Sequence, residues 1–196
     1  NIGDSNSIWN NFNGNHLHRF LSHDLPWAIC SVIWKKKSLI KLGGFNEDFS
    51  RLQDVELHTK ALMNNFKYST FSDYNSDCFY RINRNRIKYY KKYCMDDING
   101  KISFINFFNN KIIDNVLKKY LRGTFFECYI FVFNLYRIKK VSKSDLFIIL
   151  SKIDTNDFKH LLNFFSKTII RFYSYLRIND FYFRGIDKIF KFLFRL

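Results

Sequence analysis

The sequence predicts a mixed α/β segment over residues 1–82, followed by an all-helical, basic region over 83–196. Three observations carry this. A single Pro and seven Gly in 196 residues favour long helices over a turn-rich all-β fold. The run Trp27-Ala-Ile-Cys-Ser-Val-Ile-Trp34 is short, β-branched and aromatic, as a buried strand is. Beyond residue 83, apolar residues recur every three to four positions almost to the end.

Taken in order, residues 1–15 are rich in Asn, Ser and Gly and read as a loop. His16 to Ser22 suits one or two helical turns, and Pro26 bars their extension. Trp27–Trp34 is the first expected strand. Lys35–Leu42 reads as a short helix with Gly43 as its C′ residue. A loop follows from Gly44, in which Phe45 is expected to anchor the chain in the core. Asp54 to Asn64 has helical spacing, and Phe66–Phe71 and Cys78–Ile82 are expected strands. In the second half the expected helices are 96–120, 121–137, 144–152, 157–177 and 180–196.

Charge divides the chain at nearly the same place. Residues 1–80 carry 8 basic and 8 acidic side chains, so the whole net charge of +15 lies beyond them. Such asymmetry points to an anionic partner for the second half, a membrane surface or a nucleic acid. Nucleic acid is disfavoured, because no helix-turn-helix, ribonucleoprotein aromatic motif or zinc knuckle is present. In Asp180–Leu196, Phe183, Ile186, Ile189, Phe190, Leu193 and Phe194 make an apolar face beside Arg184, Lys188, Lys191 and Arg195. That pattern favours an anionic membrane surface. Packing of the same face on the preceding helices is the alternative. Cysteines at 30, 78, 94 and 128 lack metal-ligand spacing and read as free thiols. His16, His18 and His23 would place two imidazoles on one face if the segment were a strand, giving a weak metal-site candidate.

The chemistry-bearing stretch is Gly43-Gly44-Phe45-Asn46-Glu47-Asp48-Phe49, followed by Gln53-Asp54-Val55-Glu56-Leu57-His58. Two glycines allow a sharp reversal. An ionised carboxylate at a helix start is favoured by the dipole and suits a general base. Asp54 is the first choice and Glu56 the second; on a helix their side chains project about 200° apart. The same residues also fit a plain helix stop and a helix-start charge or cap.

This stretch, from Trp27 to Arg81, resembles the C-terminal half of the catalytic domain of family-2 glycosyltransferases of the GT-A fold. The shared features are a strand, a helix, the Gly-Gly-Phe-Asn-Glu loop and Gln53-Asp54 opening the next helix, where the family more often has Glu-Asp. The resemblance implies inverting transfer of a sugar from a nucleotide-sugar donor to a glycan or lipid-linked acceptor, in surface polysaccharide synthesis. It makes Asp54 the base that deprotonates the acceptor hydroxyl. It places Gly43, Gly44, Phe45, Glu47 and Gln53 around donor or acceptor, and Arg81 near the donor diphosphate; Trp27 by its ring suits stacking on an acceptor sugar, with burial in the core as the alternative. A divalent metal, Mn or Mg, is implied for the complete enzyme. No Asp-x-Asp occurs in the chain, so its ligands are expected elsewhere. The chain is therefore expected to be one portion of a longer product, inactive alone, cytoplasmic and peripheral on the cytoplasmic membrane. A non-catalytic membrane-surface or nucleic-acid-binding module derived from a transferase is the alternative.

Overall fold

A computed structural model describes residues 13–70, 89–154, 162–183 and 185–195. The chain divides into two compact units, Asn1–Arg86 and Ile87–Leu196. Among the described residues both are helical and neither contains a strand. This corrects the expected α/β, partly GT-A-like fold of the first segment.

Unit 1 holds α1 (His16–Leu21), a 3-10 turn (Ile29–Ser31), α2 (Lys36–Lys41) and α3 (Gln53–Met63). The expected strand at Trp27–Trp34 is instead this 3-10 turn with extended backbone on either side, at Ala28 and Val32. Extended residues become a strand only when a neighbour completes the hydrogen-bond ladder, and no described segment does so. Residues 66–70 are likewise irregular, and Cys78–Ile82 lies outside the described residues. Asn15 caps α1 by accepting from the His18 N–H at 3.0 Å. The helix turns Phe20 and Leu21 into the core, against α3. Leu57 and Ala61 of α3 pack with Leu42, Trp34, Leu39 and Phe66.

Five of the described helix ends share one device. In α2, Gly43 N–H donates to Ile40 O and Gly44 N–H to Leu39 O, the paired bonds of a Schellman cap with Gly43 left-handed (φ 80°). α1, α3, α5 and α7 close through the same long-range bond, with His23, Asn65, Lys139 and Asp180 in the left-handed position.

Unit 2 comprises α4 (Tyr90–Lys111), α5 (Asn115–Arg137), α6 (Lys143–Asp154), α7 (Phe164–Ile178) and α8 (Ile186–Arg195). The expected helix through residue 120 breaks at Ile112, and Asp114 caps the new start by accepting from Val116 N–H at 2.8 Å. α5 packs on α4, α6, α7 and α8. From Leu121 to Leu135 most of its residues are buried, as expected of a central helix. Phe126 stacks on Phe194 at 5.0 Å and meets Tyr173 edge-on at 4.9 Å, and Tyr173 also contacts Phe133 and Phe190. Aromatic residues make up 20% of the chain; some fill this core, while others, such as Phe147, Phe164 and Phe181, are exposed. No helix among the described residues is long and apolar enough to cross a membrane.

Candidate functional site

The loop between α2 and α3 is shaped by backbone sign. Gly43 and Gly44 both have positive φ, 80° and 68°, and a Cβ at either would meet nothing within 4 Å. Conformation therefore requires the glycines, while the space beside them is open. Asn46 then organises the turn: its Oδ1 accepts from Asp48 N–H at 3.1 Å. Phe49, 4% exposed, is the aromatic that enters the core. Phe45 is 47% exposed, which corrects the expectation that it anchors the loop. Two successive left-handed residues turn its side chain outward. Glu47 is exposed as well.

α3 opens after Leu52, which is left-handed (φ 65°) and supplies no side-chain cap. Gln53 and Asp54 are the first two helical residues, both half-buried. Asp54 is therefore not the cap itself. It lies in the first turn, where the helix dipole favours a carboxylate. Among the described residues, its carboxylate makes no hydrogen bond or ion pair.

Glu56 differs on every count. Its side chain is fully buried, its carboxylate oxygens accept no hydrogen bond, and Lys60 Nζ stands 3.4 Å away. Lys60 also donates to Gly44 O at 3.3 Å. This lysine ties the two-glycine loop to α3 and neutralises the buried carboxylate. The i,i+4 spacing of Glu56 and Lys60 was available in the sequence as a signal for the pair. Nothing local signalled the bond to Gly44, sixteen residues away.

Behind α3 lies an aromatic cluster. Trp34 stacks on His58 at 5.7 Å, and Trp27 and Phe20 contact the same imidazole. Trp27 is half-buried, packed also against His16 and Tyr68, so its ring is occupied in packing. Burial pushes the His58 pKa down to about 4, against the opposing pull of Asp54. His16 Nδ1 lies 2.6 Å from Tyr68 Oη. Because the segment is a helix, His16 and His18 project to different faces and do not pair. Arg81 lies outside the described residues. Gly43, Gly44, Phe45 and Glu47 are brought together on the loop, and Lys60 connects that loop to the helix carrying Gln53 and Asp54.

No three His, Cys, Asp or Glu side chains among the described residues come close enough to hold a metal ion. The described residues thus offer no ligand set for the divalent metal that the resemblance implies, whose ligands are expected elsewhere.

In unit 2 the expected apolar face of α8 divides. Ile186, Phe190 and Phe194 are buried, Leu193 is half-buried, and Phe183 and Ile189 are exposed. The inward orientation has a specific cause. Asp187 accepts from Tyr173 Oη at 2.7 Å and from Asn134 Nδ2 at 3.4 Å. Asn134 in turn accepts from Arg177 at 2.7 Å. Of the basic stripe, Lys188 is exposed and Lys191 pairs with Glu127; Arg184 and the side chain of Arg195 lie outside the described set. Cys94 and Cys128 are buried thiols whose pKa values burial pushes up to about 12, which keeps them protonated and unreactive.

No family model matches the sequence, and neither a curated protein nor a solved structure matches the chain.

Proposed function

We propose that unit 1 carries the acceptor side of a sugar-transferring enzyme. The observation that supports this reading is the contrast between two carboxylates on one helix turn. Asp54 is partly buried and makes no hydrogen bond or ion pair among the described residues, whereas Glu56 is enclosed and held by Lys60. In the proposed reaction, an acceptor hydroxyl gives its proton to Asp54 as its oxygen attacks the anomeric carbon of a nucleotide-sugar. The bond from that carbon to the nucleoside diphosphate breaks, and configuration inverts. Phe45 and Glu47, both exposed on the loop, are the proposed acceptor contacts: a ring for the apolar face of a sugar and a carboxylate for its hydroxyls. Gly43 and Gly44 leave the loop backbone accessible beside them. The acceptor class is a glycan or a lipid-linked glycan.

The test uses the full protein, a panel of nucleotide-sugars with Mn²⁺, and release of nucleoside diphosphate as the readout. Transfer from one donor, reduced ~10²–10⁴-fold by Asp54→Asn with folding intact, is the expected result. Absence of turnover with every donor and acceptor, or full turnover in the variant, overturns the reading.

A further inference from the structure

With Ile186, Phe190 and Phe194 of α8 committed to the core, the outward face of α7 presents a set of exposed aromatics. Phe164 is 85% exposed, and Phe165, Phe172 and Tyr175 are each more than half exposed. Lys167 and Arg171 are exposed on the same helix. At 100° per residue these six side chains span an arc of about 160°, with the aromatics on one side and the two cations on the other. The opposite arc, Ser166, Ile169, Ile170, Tyr173 and Arg177, is buried. α7 contains no acidic residue from end to end. The patch continues onto α8, where Phe190 meets Phe172 at 5.9 Å and Ile189 and Lys188 are exposed.

We infer that the outward face of α7 docks on an anionic lipid bilayer, lying parallel to the surface with its aromatic side at the headgroup boundary. Charge and composition select this occupant. Phe and Tyr beside Lys and Arg, without Asp or Glu, is the pattern of a helix that lies in the interface plane. The aromatic rings supply apolar area, and the cations meet anionic headgroups from the flank. A nucleic acid would use the cations but leave four rings of a continuous helix stacked on nothing, since rings on one rigid helix face do not interleave with successive bases. This proposal does not depend on Asp54 or on sugar transfer.

The experiment is co-sedimentation of the full 196-residue chain with phosphatidylcholine vesicles, with and without phosphatidylglycerol. Wild type is expected to bind the mixed vesicles at low salt and to weaken as salt rises. Phe164→Ser/Phe165→Ser changes two exposed rings and should lower binding at least tenfold, with helicity by circular dichroism unchanged. Lys167→Glu/Arg171→Glu should lower it more than Lys36→Glu/Lys37→Glu, an equal charge change on exposed positions of unit 1. Equal losses in the two charge-reversed proteins would make the attraction a property of net charge and overturn the assignment. So would unchanged binding by the double Ser variant, or no binding at low salt. Sedimentation equilibrium covers the remaining occupant: a dimer abolished by Phe164→Ser/Phe165→Ser would make the face a contact between copies, not a lipid surface.

Discussion

Trp34 lies flat on His58, with ring centroids 5.7 Å apart and 6° between the planes. The imidazole is 3% exposed and burial holds its pKa at about 4, well below the usual 6.5. Between those two values the unfolded chain binds a proton that the folded chain refuses. Stability of unit 1 is therefore expected to be flat with respect to His58 above pH 6.5 and to fall as pH drops toward 4, by up to roughly 3 kcal/mol at 1.36 kcal/mol per unit. All three tryptophans, Trp9, Trp27 and Trp34, lie in the first 86 residues of the sequence and none beyond, so indole fluorescence during urea unfolding does not report on unit 2. His58→Phe, which cannot titrate, should flatten the profile between pH 6.5 and 4. A profile as steep as wild type would assign the acid sensitivity to other groups.

Lys60 serves a buried carboxylate and a loop carbonyl at once. Lys60→Met is expected to destabilise unit 1 by about 3 kcal/mol, because Glu56 is left charged and enclosed. The double change Glu56→Met/Lys60→Met should recover most of that loss, since two well-packed apolar chains replace a pair that pays its own desolvation cost. Urea midpoints of the two variants check this. Equal destabilisation in both would mean that the bond to Gly44, absent from each, carries the effect.

Asp54 and Glu56 give opposite signatures under conservative change. Asp54→Asn is expected to leave the urea midpoint of unit 1 nearly unmoved while lowering the proposed transfer activity ~10²–10⁴-fold. Glu56→Gln should shift the midpoint, because it breaks the pair with Lys60, and leave the activity of the folded fraction intact. Measuring both quantities on both variants assigns chemistry and structure separately. Activity loss in Glu56→Gln at full folding would exchange the two roles.

Lys139 holds φ 57° at the end of α5, a conformation that strains any residue with a Cβ. Lys139→Gly is expected to stabilise unit 2 by about 0.5–1 kcal/mol, as glycine enters this region without strain. Lys139→Ala keeps the Cβ and should give no gain. Thermal unfolding followed by circular dichroism distinguishes them.

What could be read from the sequence follows how local each cause is. The end of α2 at Gly43 was legible, because a Schellman cap involves only neighbouring residues. The helices of unit 2 were legible from apolar periodicity, although the Asp114 cap that splits two of them was missed. The strand at Trp27–Trp34 was misread because β-branched and aromatic residues describe a buried segment, while a strand also needs a partner that composition does not reveal. The paired imidazoles failed with it, since His16 and His18 share a face only on extended backbone. Phe45 and Phe49 are equally plausible anchors in sequence; the signs of φ at Gly43 and Gly44 decide between them. At the site, the first-turn placement of Asp54 was legible, because a helix start is a local feature. That Glu56 is enclosed and Lys60 reaches the loop depended on contacts across the fold.

Val55, Glu56, Leu57, His58 and Thr59 of α3 are all buried, with no gap between them. An ordinary surface helix has an outward side where substitutions are silent, so mutational tolerance rises and falls with each turn. Across these five positions that rhythm should vanish, and a saturation screen should return an unbroken block of intolerant sites. Asp54 borders the block and would score as one more member of it in any assay that counts only survival. Separating abundance from activity is what would set it apart: its neighbours should deplete the protein, and it should deplete only the product.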